Sequence, residues 1–360
     1  MAATIIDWTQ GQITEQNPLG LNGVDFIEYS GSDAMYFENL FSKMGFAHTA
    51  EIPNKKIKLY RQGDINFILN CEPGTFAINF FEAHGPSVCS TGFRVGNAEK
   101  AFALAIQRGA KAYAGTSESR GASPYPAIYG IGESLIYFID EKLYLDLYQN
   151  QFRMPEPYTR PEGFGLNHID HFTNNVPVGE MQKWCDFYEK VFNFREARYF
   201  DIRGSSTGLI SKVMRSPCGK FSVPINEPTD SKSQIQEYLE EYKGSGIQHI
   251  AMTTNHIIPT LENLKRNSIQ FLNAPPGTYY QMLKDRLPLV SEDVAQLEKN
   301  AILVDGDEHG YLLQIFTKNV IGPVFYEVIQ RKGHDGFGNG NFQALFDAIE
   351  ADQRERGYLT

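Results

Sequence analysis

Cysteine is scarce and scattered. Cys71, Cys89, Cys185 and Cys218 show no CxxC spacing, which excludes a disulfide framework and a structural zinc site as organising features. HExxH is absent as well, and with it the commonest zinc-hydrolase arrangement of two histidines and a carboxylate. The first residues lack a basic region followed by an apolar run, and no later segment is long and uncharged enough to span a bilayer. A cytoplasmic protein with no membrane partner is the expectation. Nor does any block of Lys and Arg interleaved with aromatics offset the net charge of -10, so nucleic acid is excluded as a general partner. What is present is 42% hydrophobic and 13% aromatic content over 360 residues, ample for the cores of about two globular domains that act on small molecules.

Periodicity divides the chain into two similar halves. In the first, a strand over 23–29 precedes a helix over 34–44, with Met35, Phe37, Leu40, Phe41 and Met44 at helical spacing. Strands over 57–60, 65–70 and 88–95 follow, then a helix over 98–107 and a closing segment over 136–147. Met154-Pro155-Glu156-Pro157 reads as a linker, giving domains 1–155 and 156–360. The second half restarts with a strand over 168–173 and a helix over 181–191. Val24-Asp25-Phe26 matches Ile169-Asp170-His171, and at one constant offset Ser90 matches His249 and Phe102 matches Leu261. The chain is thus a duplicated strand-helix-strands unit. Its copies differ where it matters, because the second has imidazoles where the first has Phe26 and Ser90.

Glu327 lies in a third strand, Phe325 to Arg331, between large apolar neighbours. A carboxylate there must be protonated, ion-paired or bound to metal. His171, His249 and Glu327 follow one another at equal intervals, and two imidazoles with one carboxylate form the facial triad of non-haem Fe(II) oxygenases. Each alone is more often an ordinary core residue; the three together, with the contrast between the copies at the two histidines, favour a metal site over that reading. His168 has ligand-like spacing to His171, but residues three apart on a strand face opposite ways, which leaves it a turn or supporting role. Gln314 is a polar residue in the apolar strand 311–317, and Asn226, Gln234 and Gln236 read as amides at turns. Gly336-Phe337-Gly338-Asn339-Gly340 imitates a dinucleotide-binding turn. It lacks the third glycine at Asn341, and too little chain remains for a second strand. The glycines read instead as a hinge presenting Phe337. A C-terminal lid helix over about 341–356 follows, capped by Asn341 and apolar at Phe342, Leu345, Phe346 and Ile349.

Several long motifs resemble the 4-hydroxyphenylpyruvate dioxygenases of the vicinal-oxygen-chelate superfamily. They are Ile169-Asp170-His171, Pro224-Ile225-Asn226-Glu227-Pro228, Ser233-Gln234-Ile235-Gln236, Gly246-Ile247-Gln248-His249-Ile250-Ala251, Leu312-Leu313-Gln314-Ile315-Phe316-Thr317-Lys318, Phe325 to Arg331 and Gly336 to Phe342. The likeness is close over 160–357 and looser before. It implies an α+β fold of tandem βαβββ repeats in two open-barrel domains, the second enclosing Fe(II) held by His171, His249 and Glu327. It implies that Ser211, Asn226, Gln234 and Gln314 position the substrate, that Phe316 and Phe337 sandwich its ring, and that Gln248 and Phe342 line the pocket. The implied reaction converts 4-hydroxyphenylpyruvate and O2 to homogentisate and CO2 in a homo-oligomer, a dimer or tetramer. 4-Hydroxymandelate synthase, with the same ligands and substrate, and a metal-free binding protein on the same fold are the competing readings.

Overall fold

The structure, a computed structural model, describes residues 6–115, 125–273, 275 and 277–359. Seven strands of the first half, β1 (Val24–Ser30), β2 (Ala47–Glu51), β3 (Ile57–Gln62), β4 (Ile65–Asn70), β5 (Ser87–Arg94), β6 (Ala127–Tyr129) and β7 (Leu135–Ile139), form one sheet in the order β2-β3-β4-β1-β5-β7-β6. The second half supplies β8 (Leu166–Asn175), β9 (Arg195–Arg203), β10 (Gly208–Arg215), β11 (Ser222–Pro228), β12 (Gly246–Thr254), β13 (Leu303–Gly306), β14 (Tyr311–Phe316) and β15 (Phe325–Lys332). Their order is β13-β14-β15-β12-β8-β11-β10-β9.

The duplication is written in the pairing. β1 runs parallel to β4 and antiparallel to β5, which is parallel to β7; β8, β11, β12 and β15 repeat that pattern. Phe26 faces Gly92 across the first sheet as His171 faces Ala251 across the second. In each half an amphipathic helix covers the outer face of the sheet. Ala34–Lys43 buries Phe37, Leu40 and Phe41 behind an Asp33 cap, and Met181–Phe192 buries Cys185, Tyr188, Val191 and Phe192.

Several boundaries differ from those read in the sequence. The segment 136–147 is β7 followed by a turn of helix, Glu141–Leu145, which starts where Asp140 accepts the Leu143 N–H. Asn226 lies within β11, and Gln234 opens a helix, Gln234–Tyr242, so neither sits at a turn. Ser233 caps that helix, and Ile235, Tyr238, Leu239 and Tyr242 are buried along it. The C-terminal helix spans Asn339–Glu355 and starts after Gly338, whose φ of +67° favours glycine. Asn341 is therefore inside the helix and caps nothing. The expected linker around Pro157 carries no helix or strand, but it is held. Pro157 O accepts from Arg61 Nη1 at 2.5 Å and from the Tyr144 hydroxyl at 2.9 Å.

Candidate metal centre

Alternation along three adjacent strands builds the site. β8, β12 and β15 lie side by side, and each turns one side chain to the concave face: His171, His249 and Glu327. All three are buried, and one ligand atom from each lies within 4.8 Å of the other two. His171 Nε2 is 3.2 Å and His249 Nε2 3.6 Å from Glu327 Oε2. The other nitrogen of each ring is engaged elsewhere. His171 Nδ1 bonds Asp170 Oδ1 at 2.8 Å, and His249 Nδ1 bonds Gln248 Oε1 at 3.1 Å. Carbonyl and carboxylate oxygens only accept, so each Nδ1 carries its hydrogen and each Nε2 is the nitrogen turned to the site, that of His249 lying 3.0 Å from the Thr173 hydroxyl and that of His171 free to bind metal once it gives up the proton it shares with Glu327. Two imidazole nitrogens, one carboxylate and supporting acceptors behind the rings fit a divalent transition metal.

The electrostatics follow from burial and neighbours. Burial alone would lower the pKa of His171, but the charges of Glu327 and Asp170 outweigh it and raise the pKa to about 9. His249 is pushed well below the ordinary histidine value by burial and by the proximity of His171. For Asp170, burial favours the neutral acid; the Arg331 guanidinium overrides that and holds the carboxyl well below its usual range. Glu327 Oε1 accepts from Gln314 Nε2 at 2.8 Å, and Gln314 Oε1 accepts from Asn341 Nδ2, also at 2.8 Å. A chain of amides thus runs from the metal-site carboxylate to the C-terminal helix.

His171, His249 and Glu327 share a cavity with Ser211, Asn226, Gln314, Phe316, Phe337 and Phe342. Thr173, Phe200, Val213, Pro224 and Leu345 complete it; of these Leu345 was read only as part of the apolar stripe of the C-terminal helix and Pro224 only within a motif. The edge strand β9 escaped sequence reading because it is charged and largely exposed, with little alternation to mark it. Ser211 Oγ and Asn226 Oδ1 are buried, and neither has a hydrogen-bond partner among the described residues. Phe337 meets His171 edge to face at 5.3 Å.

Gln234 and Gln248 lie elsewhere. They line a second cavity of about 670 Å³ beside Phe325 and the far end of the C-terminal helix. Phe325 stacks on His249 at 4.8 Å and, with Gln248, forms part of the partition between the two cavities. Strict alternation would have turned Gln248 away from His249. A register shift between Ile247 and His249 in the pairing of β12 with β8 loosens that rule here. His168 lies within β8 instead of at a turn, and its Nδ1 bonds the Thr253 hydroxyl at 2.9 Å, not a metal ligand.

Among the described residues, the first half has no counterpart of this centre. The strand register puts Tyr137 where the second half has Glu327, because Gly92 faces Tyr137 as Ala251 faces Glu327. Phe26, Ser90 and Tyr137 supply neither imidazole nor carboxylate, and the Phe26 and Tyr137 rings pack at 5.8 Å. A Cβ on Gly92 would come within 2.6 Å of the Phe26 ring, so glycine is what lets that ring fill the space.

Comparison with known proteins agrees with this architecture. A family model described as "Hydroxyphenylpyruvate dioxygenase, HPPD, N-terminal" matches residues 15–152. One described as "Glyoxalase/Bleomycin resistance protein/Dioxygenase superfamily" matches residues 166–315. The chain is 47% identical to the 4-hydroxyphenylpyruvate dioxygenase of Legionella pneumophila over 95% of its own length and 98% of that protein. Identity to the Pseudomonas aeruginosa enzyme of the same name is 45%, over 97% and 99%. A Vibrio vulnificus protein named hemolysin VllY is 48% identical, over 95% and 98%. Among solved structures, a fusion of a xylose isomerase-like TIM barrel with 4-hydroxyphenylpyruvate dioxygenase superposes with a TM-score of 0.78 at 30% identity, over 92% of this chain and 52% of that longer one. A mutant 4-hydroxymandelate synthase from Streptomyces coelicolor gives the same TM-score at 24% identity, over 92% and 98%, and so shares the fold. With near-complete coverage at this identity, the chain belongs to the 4-hydroxyphenylpyruvate dioxygenase family.

Proposed function

We propose that this chain is an Fe(II)-dependent 4-hydroxyphenylpyruvate dioxygenase, converting 4-hydroxyphenylpyruvate and O2 to homogentisate and CO2. The observation that carries the reading is the convergence of His171, His249 and Glu327 in a buried, aromatic-lined cavity within a chain of this family. Iron bound there would supply the redox chemistry that activates O2 and the coordination sites that an α-keto acid can chelate. The chain's own residues bind, orient and exclude water. Phe316 and Phe337 flank the substrate ring, and Phe342 closes the pocket from the C-terminal helix. Ser211 Oγ and Asn226 Oδ1, buried without partners among the described residues, take the polar groups of the substrate. Gln314 orients Glu327, and Gln248 orients His249 while lining, with Gln234, the outer cavity through which substrate passes.

The inner cavity has a free volume of only about 40 Å³. That is room for only a few waters, and Phe342 and Leu345 of the C-terminal helix form part of its wall, so in this reading the helix acts as a lid that shifts to admit an aromatic keto acid. Residues 1–155 form the non-catalytic domain and 156–360 the catalytic one. A cytoplasmic homo-oligomer, dimer or tetramer, completes the reading, and sedimentation of the purified protein tests its assembly.

The decisive experiment is oxygen uptake by purified protein with Fe(II) and 4-hydroxyphenylpyruvate, followed by identification of the product. Homogentisate supports the reading. Hydroxymandelate would reassign the chain to benzylic oxidation, and neither iron retention nor oxygen uptake would leave a binding protein on this fold.

A further inference from the structure

The Arg331 guanidinium is largely buried, with a side-chain exposure of 16%, and it serves two structures at once. Toward the metal centre, Nε donates to Asp170 Oδ2 at 2.7 Å and Nη2 to Asp170 Oδ1 at 2.8 Å. That is the bidentate fork a carboxylate accepts best. Asp170 Oδ1 in turn accepts from His171 Nδ1 at 2.8 Å, so the orientation of the first histidine rests on a carboxylate that Arg331 clamps from both oxygens. Toward the glycine-rich loop, Nη1 donates to the carbonyls of His334, at 3.1 Å, and Gly336, at 2.5 Å. The guanidinium also lies 5.4 Å from the centre of the Phe337 ring, which itself contacts His171.

We propose that Arg331 is a positioning residue that couples metal ligation to substrate enclosure, fixing His171 through Asp170 and the Phe337 wall through the loop carbonyls with one planar group. The proposal rests on the metal and substrate reading given above. Its physical content is that no other side chain can be substituted for both tasks. The ammonium of a lysine is a single point of charge and cannot hold two carboxylate oxygens and two carbonyls in fixed directions. A methionine of similar length keeps the packing and donates nothing.

The test is a set of variants, Asp170→Asn, Arg331→Lys, Arg331→Met and the Asp170→Asn/Arg331→Met pair. Each is measured for Co(II) affinity of the metal-free protein by absorption titration, and for KM toward 4-hydroxyphenylpyruvate. Asp170→Asn should weaken Co(II) binding by ~10–100-fold with KM near that of the parent, since the Arg331 Nη1 that holds the loop carbonyls makes no bond to Asp170. Arg331→Met should weaken Co(II) comparably and also raise KM by about tenfold, because the aromatic wall loses its anchor. In the double variant the loss of Co(II) affinity should be no greater than the larger single loss, since both changes act through one path. Arg331→Lys, which keeps charge and length, guards against a methionine variant that fails to fold and should show both losses in the same direction. Additive Co(II) losses, or an Arg331 variant that changes only one of the two quantities or neither, would overturn the proposal. His171→Ala separates the levels: parent-like Co(II) affinity there would bring down the metal reading and this proposal together. Lost affinity there, with parent-like Arg331 variants, brings down the proposal alone.

Discussion

Gln314 spends both ends of one amide on the site, its Nε2 on Glu327 and its Oε1 on Asn341. Replacement by leucine keeps the volume but leaves a buried carboxylate oxygen and a buried amide short of their partners. Gln314→Leu should weaken metal binding by ~10–100-fold, the range typical of groups that orient a ligand, and isothermal titration of the metal-free protein would read it. Glu327→Gln removes the only anionic ligand of the set. Metal affinity should fall by more than about a hundredfold, beyond what a supporting residue costs, and turnover should nearly vanish. Near-normal oxygen uptake in that variant would remove Glu327 from the ligand set. Among these residues the histidines were legible in the sequence through the contrast between the two copies, and the glutamate as a carboxylate among apolar neighbours at an equal interval beyond them. Asp170 and Arg331 were visible in the same motifs but silent, because nothing in strand periodicity shows that residues so far apart in sequence meet.

At the scale of elements, a buried carboxylate ties the middle of the C-terminal helix to the second sheet. Glu350 accepts from Thr207 N and Oγ1, both at 2.8 Å, from Ser206 N at 3.2 Å and from Ser205 Oγ at 3.0 Å, all in the turn between β9 and β10. Gly204 in that turn leaves room for the helix, since a Cβ there would lie 2.4 Å from Phe346. Burial would raise the pKa of Glu350, but these donors hold it at about 2, below its ordinary 4.5. A carboxylate with a depressed folded-state pKa stabilises fully above 4.5, and the contribution fades as pH falls from there toward 2. The helix should therefore loosen in acid, with amide exchange over 339–355 rising through that window. Glu350→Gln should loosen it at neutral pH by ~2 kcal/mol and remove that part of the pH dependence. The amphipathic stripe of this helix was readable in advance. Its start was not, because the positive φ at Gly338 and the draw of Gln314 on Asn341 override local capping preference.

At the scale of the molecule, the two sheets are joined through the back of the metal strand. Tyr326, next to Glu327 but on the opposite face of β15, donates its hydroxyl to that of Tyr29 at 3.0 Å and stacks against Phe67 at 6.1 Å. Gln62 Oε1 also accepts the backbone N–H of Phe164, at 2.6 Å, and of Leu166, at 3.2 Å, so the first half grips the chain just as β8 begins. Tyr326→Phe and Tyr29→Phe should each cost about 1 kcal/mol in urea unfolding, and the pair no more than the larger single change, since both remove one shared bond. Fully additive costs would mean that the hydroxyls act independently. The ligand-free half thus supports the strand that carries Glu327, a physical reason for it to remain although Phe26 and Tyr137 fill its own cavity.

The sequence by itself determined the duplication, most strands and helices, and the trio of His171, His249 and Glu327, because periods of two and 3.6 and the differences between repeats are local or are carried by alignment of like with like. Tertiary structure alone decided which nitrogen of each histidine faces the metal site, that Asp170 and Arg331 stand behind His171, that Gln234 and Gln248 line an outer cavity, and that Tyr137 answers to Glu327. Those facts depend on register between strands distant in the chain and on shifts such as the one beside Gln248. A single residue of slip exchanges the faces of a strand, and only the assembled sheet fixes it.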